Sequence, residues 1–303
     1  MSAAPHSYLE ATARQRVALL FGTGQFHEWL PPSARLVSPH LSQLDAPLAF
    51  DDGIVIGRGT LGHYSVFAAA QEGGFMGGAV GEVHGAKLVG VLRRAIIEKP
   101  DAVLLLLETG GVRLHEANAG LIAVSEVMRA VLDVRAANVP VIVLIGGANG
   151  CFGGMGIVAR CANAIIMSEQ ARLAMSGPEV IESANGVEEF DSRDRALVWR
   201  TTGGKHRYLI GDCDLLVADD IAAFRAAALG QIGAVNLQSV ALTLNAMEGE
   251  QRQLERRLQQ YGDAREPSEL WRRLGIIDPH QVAMLEPDAF MQLASRSEAR
   301  STS

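Results

Sequence analysis

Cysteine is scarce: Cys151, Cys161 and Cys213 are the only three in 303 residues. None forms a CxxC pair, which argues against both a zinc ribbon and a disulfide framework. Basic excess is lacking too, with 27 Lys and Arg against 34 Asp and Glu and a formal net charge of −7. A nucleic-acid binder held by phosphate contacts is therefore not expected. No apolar run approaches the ~18 residues that a membrane span needs. The first residues carry Pro5, His6 and Glu10 rather than a basic and then apolar signal region. These absences together predict a soluble, cytoplasmic protein with no nucleic-acid and no membrane partner. Aromatic residues reach only 5%, whereas apolar residues reach 48%, so the chain can bury a sizeable, mainly aliphatic core. No GxSxG elbow, HExxH helix or P-loop is present, and no metal is expected.

Glycine, by contrast, is abundant and clustered. Residues 144–156 read LIGGANGCFGGMG, with six glycines after an apolar run. Gly weakens helices and strands alike, so the cluster needs a reason. The pattern around it is strand and helix in alternation. Ser7 to Leu20 reads as an amphipathic helix through Leu9, Val17 and Leu20. Residues 29–50 hold Pro31, Pro32, Pro39 and Pro47 and read as an extended connector. DGIVIGRGTLGHYSVFAAA reads as two strands and a turn. Its Gly57, Gly59 and Gly62 fit GxGxxG, but a strand and not a helix follows, so no dinucleotide site is expected.

The next helix has Leu88, Val91, Leu92, Ala95 and Ile96 on one face and stops at Pro100. Ala102–Leu107 is a strand buried on both faces. The helix after it has Leu121, Val124, Met128 and Val131 on one face. Pro140 opens a second buried strand, PVIVLI. A third helix begins near Gly153, and AIIM at 164–167 is a third strand. This alternation is the signature of a parallel sheet. Leu237, Val240, Leu244, Met247, Leu254, Leu258 and Tyr261 form a narrow heptad seam with Gln251 as its one polar member. Packing on the chain's own core is the plainer reading of it, and a subunit contact the sharper one.

Two buried strands end in glycine turns, Thr109-Gly110-Gly111 and the loop reaching Gly153-Gly154. In a parallel sheet both emerge at one edge, where ligands bind. Backbone N–H groups there, with the unpaired donors of a helix start, can hold an oxygen that gains negative charge. Tight turns and close helix–strand packing explain the same glycines equally well. Cys151 is either a nucleophile or, as buried cysteines usually are, inert packing. His84 and Lys87 either meet an anionic ligand or are solvated. Arg113 and Glu116 make either an ion pair or a ligand contact. Lys87, Arg113 and Met155 are the substrate-binding candidates.

RVALLFGTGQFHEW, DGIVIGRGTLGHYSVF, GGAVGEVHGAKL, ETGGVRLHEANAG, GCFGGMG and MSGPEVIE follow in that order. Together, over Ser7 to Asp220, they resemble the carboxyltransferase subunits of acyl-CoA carboxylases. The resemblance implies an α/β, crotonase-like (ClpP/crotonase) ββα spiral. Expected are an N-terminal helix and connector at 1–50, a core at 51–232 and a C-terminal helical extension at 233–303. Within the family the chain is most similar to the β subunits of malonate decarboxylases. It lacks the preceding CxxC ribbon, reads ETGGVRLHEANAG where DSGGAR and then QEG are usual, and carries the C-terminal extension.

By position, Gly110, Gly111 and Val112 would supply one side of an oxyanion hole, and Gly153 and Gly154 the other. The implied reaction takes malonyl carried as a thioester on the phosphopantetheine-type arm of an acyl carrier protein. It releases CO₂ and protonates the enolate to an acetyl thioester. The chain itself would bind no cofactor. Implied partners are a homologous γ decarboxylase subunit, the acyl carrier protein and an acyl carrier transferase (α) subunit. A biotin-dependent carboxyltransferase is the alternative, and a scaffolding subunit without activity a third reading.

Overall fold

The computed structural model describes residues 6–234 and 243–295. Helix α1 (Ala13–Phe21) begins later than its apolar spacing predicts, because Thr12 and Gln15 close a capping box that fixes its start. Strand β1 (Phe26–Trp29) pairs antiparallel with β2 (Ile54–Leu61), and β2 with β3 (Tyr64–Gln71). Between β1 and β2 the proline-rich connector makes two short 3₁₀ turns, at Pro32–Ala34 and Leu41–Leu44. Gly57 and Gly59 lie inside β2, and Gly62 turns the hairpin at φ +65°. The GxGxxG match is thus a strand and a turn, as its context predicts.

From β3 onward the pairing is parallel. Helix α2 (Glu82–Glu98) leads to β4 (Ala102–Leu107), and α3 (Asn118–Ala136) to β5 (Val141–Ile145). Short α4 (Gly154–Arg160) leads to β6 (Ala164–Ser168). Helices α5 (Pro178–Asn185), α6 (Arg195–Thr202) and α7 (Gly204–Leu209) precede β7 (Leu215–Val217). The seven strands stand in sequence order in one sheet. Beyond its carboxyl edge, single parallel bridges join Val80 to Val112, Thr109 to Cys151 and Cys151 to Leu173. Each turn of the chain thus stacks on the one before it, as a ββα spiral requires.

Both faces of the sheet are covered. Along β4, Val103, Leu105 and Leu107 pack with α2 and α3, while Leu104 and Leu106 pack with α1 and α8 (Ile221–Ala234). The run AVLLLL reads as uniformly apolar because alternate residues enter two different cores. On α3 the buried stripe is Ala123, Val124, Val127, Ala130, Val131 and Val134. Leu121, expected on that face, is exposed, because in its turn Gly120 is the residue that faces inward, toward Val80 and Val112.

The C-terminal part divides in two. Helix α9 (Leu244–Tyr261) has no buried residue, and Leu244, Met247, Leu254 and Leu258 are exposed. Only the end of the seam, Tyr261, packs against the chain's own core, while the four leucine and methionine positions before it stay outside. Leu237 and Val240 lie outside the described residues. Helices α10 (Pro267–Arg273) and α11 (Pro287–Ala294) do return to the core, bringing Trp271, Phe290 and Ala294 into the cluster under α2 and α3.

Candidate functional site

Leu107 and Ile145 are register partners, so β4 and β5 leave the sheet side by side. The turns they enter are stitched together. Thr109 N–H donates to the Gly150 carbonyl at 2.8 Å, and Phe152 N–H to the Thr109 carbonyl at 2.9 Å. A little further on the two backbones touch. A β carbon on Gly111 would lie 3.6 Å from the Gly153 Cα, and one on Gly153 would lie 3.0 Å from the Gly111 Cα. Gly111 has φ +123° and Gly153 φ +64°, conformations that only glycine adopts cheaply.

Which donors remain free decides what the turns can do. Gly110 N–H donates to the Gly77 carbonyl at 2.9 Å, and Gly111 N–H to Thr109 Oγ1 at 2.9 Å. Gly153 N–H is taken by the Met175 carbonyl at 2.9 Å. No acceptor among the described residues meets the N–H groups of Val112, Gly154 or Met155. The five residues expected to form an oxyanion hole are brought together, but they divide by role. Gly110, Gly111 and Gly153 shape the turns, whereas Val112 and Gly154 keep open donors, with Met155 beside them. Helix α4 has only seven residues. Its dipole is accordingly slight, and the open N–H groups carry the polarity. Gly154 also lets helices meet, since a β carbon there would sit 2.6 Å from Val124 Cγ1 on α3.

The charged candidates lie beneath the turns. Lys87 is buried, and its ammonium donates to the carbonyls of Asp51 at 2.8 Å and Ile54 at 3.3 Å. Burial lowers its pKa. Arg113 is 1% exposed and spans two carboxylates, Asp52 at 2.9 Å and Glu116 at 2.8 Å. Of the two roles open to Arg113 and Glu116, the geometry is that of an ion pair. Burial works to raise the Glu116 pKa, but bonds from the Glu82 N–H and the Arg113 guanidinium outweigh it and hold the carboxyl low.

His84 is not solvated. Burial pushes its pKa down to about 3, and the ring is neutral. Its Nδ1–H donates to the Asp52 carbonyl at 3.1 Å, which leaves Nε2 to accept from Gln71 Nε2 at 3.1 Å. Gln71 Oε1 in turn accepts the Glu108 N–H at 3.1 Å. A chain of oriented hydrogen bonds thus runs from the start of α2 to the first glycine turn.

Cys151 is fully buried between Thr109 and Leu173, and burial raises its thiol pKa, so a thiolate nucleophile is disfavoured there. No group of three or more His, Cys, Asp or Glu among the described residues is placed to hold a metal ion, and no helix among them is long and apolar enough to cross a membrane. A cavity of about 600 Å³ lies between Trp199, His206, Trp271 and Val282 rather than at the turns. Arg172 stacks on both Phe152 and Trp199, between that cavity and the second turn.

Sequence reasoning missed Arg16, Asp52, Glu108 and Asn149. Arg16 pairs with Glu108, 92 residues away, and Arg113 with Asp52, 61 residues away. Only the pairing of oppositely charged residues on apolar segments hinted at burial.

Residues 6–230 match the carboxyl transferase domain family. Over 97% of both chains the sequence is 43% identical to malonyl-S-ACP:biotin-protein carboxyltransferase of Malonomonas rubra. It is 29% identical to the acetyl-coenzyme A carboxylase carboxyl transferase subunit beta of Fusobacterium nucleatum, over 58% of this chain and 59% of that one. Among solved structures it superposes on a chain of the Pseudomonas malonate decarboxylase hetero-tetramer in complex with malonate. The TM-score is 0.73 at 42% identity, covering 76% of this chain and 84% of that one. A chain of the Pseudomonas malonate decarboxylase MdcD–MdcE hetero-dimer aligns with TM-score 0.61 at 38% identity, over 75% and 88%. From the paired glycine turns to the stacked spiral beneath them, the chain belongs to the carboxyl transferase family and has its crotonase-like fold.

Proposed function

We propose that this chain is the β-type subunit of a malonate decarboxylase, a carbon–carbon lyase acting on malonyl-S-acyl-carrier protein. The observation that carries the reading is the set of open N–H groups at Val112, Gly154 and Met155, beside the point where Gly111 and Gly153 touch. In the reaction the bond from the α carbon to the carboxylate breaks and CO₂ leaves. Its electron pair moves onto the thioester, and the carbonyl oxygen becomes an enolate oxygen. Donors fixed beforehand around that oxygen stabilise charge where it develops. A proton then returns to carbon and gives the acetyl thioester. The malonyl group reaches the site on the phosphopantetheine-type arm of the acyl carrier protein, loaded by an α-type transferase subunit.

The partner closing the site is a homologous γ subunit. Around the turns Leu114, Leu121, Ile122, Met175 and Val180 are exposed apolar residues, a rim suited to being covered. Interfaces of this obligate kind bury more than ~2,000 Å². Transfer of the carboxyl group to biotin instead of release is the second reading, favoured by the 43% identical relative whose name includes a biotin protein. The test is to purify the chain with its co-expressed neighbours and measure CO₂ release from malonyl thioester with and without avidin. Release unaffected by avidin supports the decarboxylase; loss with avidin selects the biotin branch. The absence of both CO₂ release and carboxybiotin formation would remove both readings.

A further inference from the structure

Glu108 leaves β4 directly before Thr109, yet its carboxylate lies against the other turn. One oxygen accepts from the Asn149 backbone N–H at 3.2 Å and from Asn149 Nδ2 at 3.3 Å. The other oxygen takes the Arg16 guanidinium in a fully buried pair. Arg16 is itself fixed by donating Nε–H to the Tyr8 carbonyl at 2.8 Å. Asn149 Nδ2 donates further, to the Gly73 carbonyl at 2.9 Å. Glycines make room for the acid. A β carbon at Gly73 or Gly147 would overlap the Glu108 carboxyl group. Gly147, in the glycine-rich stretch, is therefore spared a side chain for the sake of this carboxylate and not of a ligand.

A buried ion pair is weak evidence for stability, because desolvation offsets its Coulomb energy. Position gives it a better reason. Glu108 is covalently joined to the turn that ends in the Val112 donor. Through Asn149 it grips the loop that leads to Gly154 and Met155. Hydrogen bonds to a charged acceptor are roughly twice as strong as neutral ones.

We propose that Glu108, held by Arg16, is a positioning residue: by gripping Asn149 it sets the spacing between the donors of the two turns. The inference rests on the oxyanion reading above and deepens it. Donors must be held within ~0.5 Å of their working geometry, and a displacement of ~1 Å costs about 10²-fold in rate.

The experiment uses the assembled complex with its partner subunit and malonyl thioester as substrate. Asn149→Ala removes one grip from a half-buried side chain. Glu108→Gln keeps the shape and loses the charge. Both are expected to lower kcat about 10- to 100-fold, with KM changed less than about 3-fold. The double variant is expected to lose no more than the worse single one, because both act through one contact. Leu92→Ala, in the α2 core, serves as a control that lowers the melting temperature without touching the turns. A purely structural role predicts variants that melt earlier but turn over normally when assembled and cold, and that result overturns the proposal. So does an equal loss of kcat in Leu92→Ala, or full additivity in the double variant. Wild-type complex that releases no CO₂ would instead sink the functional reading itself.

Discussion

The two glycine turns do similar work by different means. The turn after β4 is a bent ribbon, with its Gly N–H groups consumed by the Gly77 carbonyl and by Thr109 Oγ1 and one open donor left at Val112. The turn after β5 opens a helix, and its donors at Gly154 and Met155 are open because a helix start has no partners for them. Both need a left-handed glycine, Gly111 in the first and Gly153 in the second, but the second also depends on how closely α4 can approach α3. A substitution should therefore damage each turn in its own way.

The largest effect is expected at Gly111. With φ at +123°, a side chain there rotates the peptide that presents the Val112 N–H. Gly111→Ala should lower kcat by about 10²–10³, the usual cost of one oxyanion donor. Gly110→Ala beside it meets nothing closer than the Gly77 carbonyl at 3.8 Å and should stay within the ~0.5 kcal/mol of a neutral change. Equal kcat in the two variants, once assembly is verified, would end the distinction drawn above.

Gly154→Ala comes next and should act on stability first. Its β carbon meets Val124 Cγ1, an overpacking worth ~1–3 kcal/mol. Adding Val124→Ala should restore much of the melting temperature. A failure of that second change to help would mean that Gly154 is needed for its backbone and not for the helix contact.

Acid should disturb the first turn's support. His84 and His206 are held neutral with pKa values of about 3, against 6.5 for an unhindered ring. Between those values the unfolded chain binds protons that the folded chain refuses, so stability is full above pH 6.5 and falls as pH drops toward 3. Each ring contributes up to ~1.4 kcal/mol per pH unit within that window. Melting curves from pH 7 to pH 5 should fall less steeply for His84→Gln than for wild type. Parallel curves would remove His84 from the account.

The smallest effect is expected at Cys151. Burial raises its thiol pKa and nothing in the proposed chemistry needs a covalent bond, so Cys151→Ala should keep most of the activity. An acyl group trapped on this sulfur would favour nucleophilic catalysis instead.

Much of the frame was legible in the sequence. β3 to β6, α2 and α3 follow from short apolar runs alternating with 3.6-residue stripes, because each element's burial is written in its own residues. Strand β1 was not legible: Phe26–Trp29 is four residues long and half polar, and it is a strand because β2 lies beside it. The heptad stripe of α9 reads correctly as a stripe, but no single sequence says what faces it. At the site the paired turns were visible, yet the division of labour within them was not. Whether Gly153 or Gly154 keeps its N–H free depends on the Met175 carbonyl, 22 residues on. Glu108 was hidden for the same reason, since its partners come from α1 and from the loop after β5.

Helix α1 has one more consequence, which concerns time. It packs with α8 across the second core, where Arg225 Nε donates to the Leu20 carbonyl over 205 residues of chain. Leu9 N–H likewise bonds Asp219 at 2.8 Å. At the ribosome the Leu20 carbonyl of α1 is made 205 residues ahead of its partner on α8. Synthesis at roughly 5–20 residues per second makes that wait about 10–40 s. Arg16 travels on this helix, so Glu108 has no settled counter-ion until the spiral is nearly complete. The closure of α8 on α1 is then also the step that sets the two turns, and a nascent chain stalled before α8 would carry both glycine turns without their clamp.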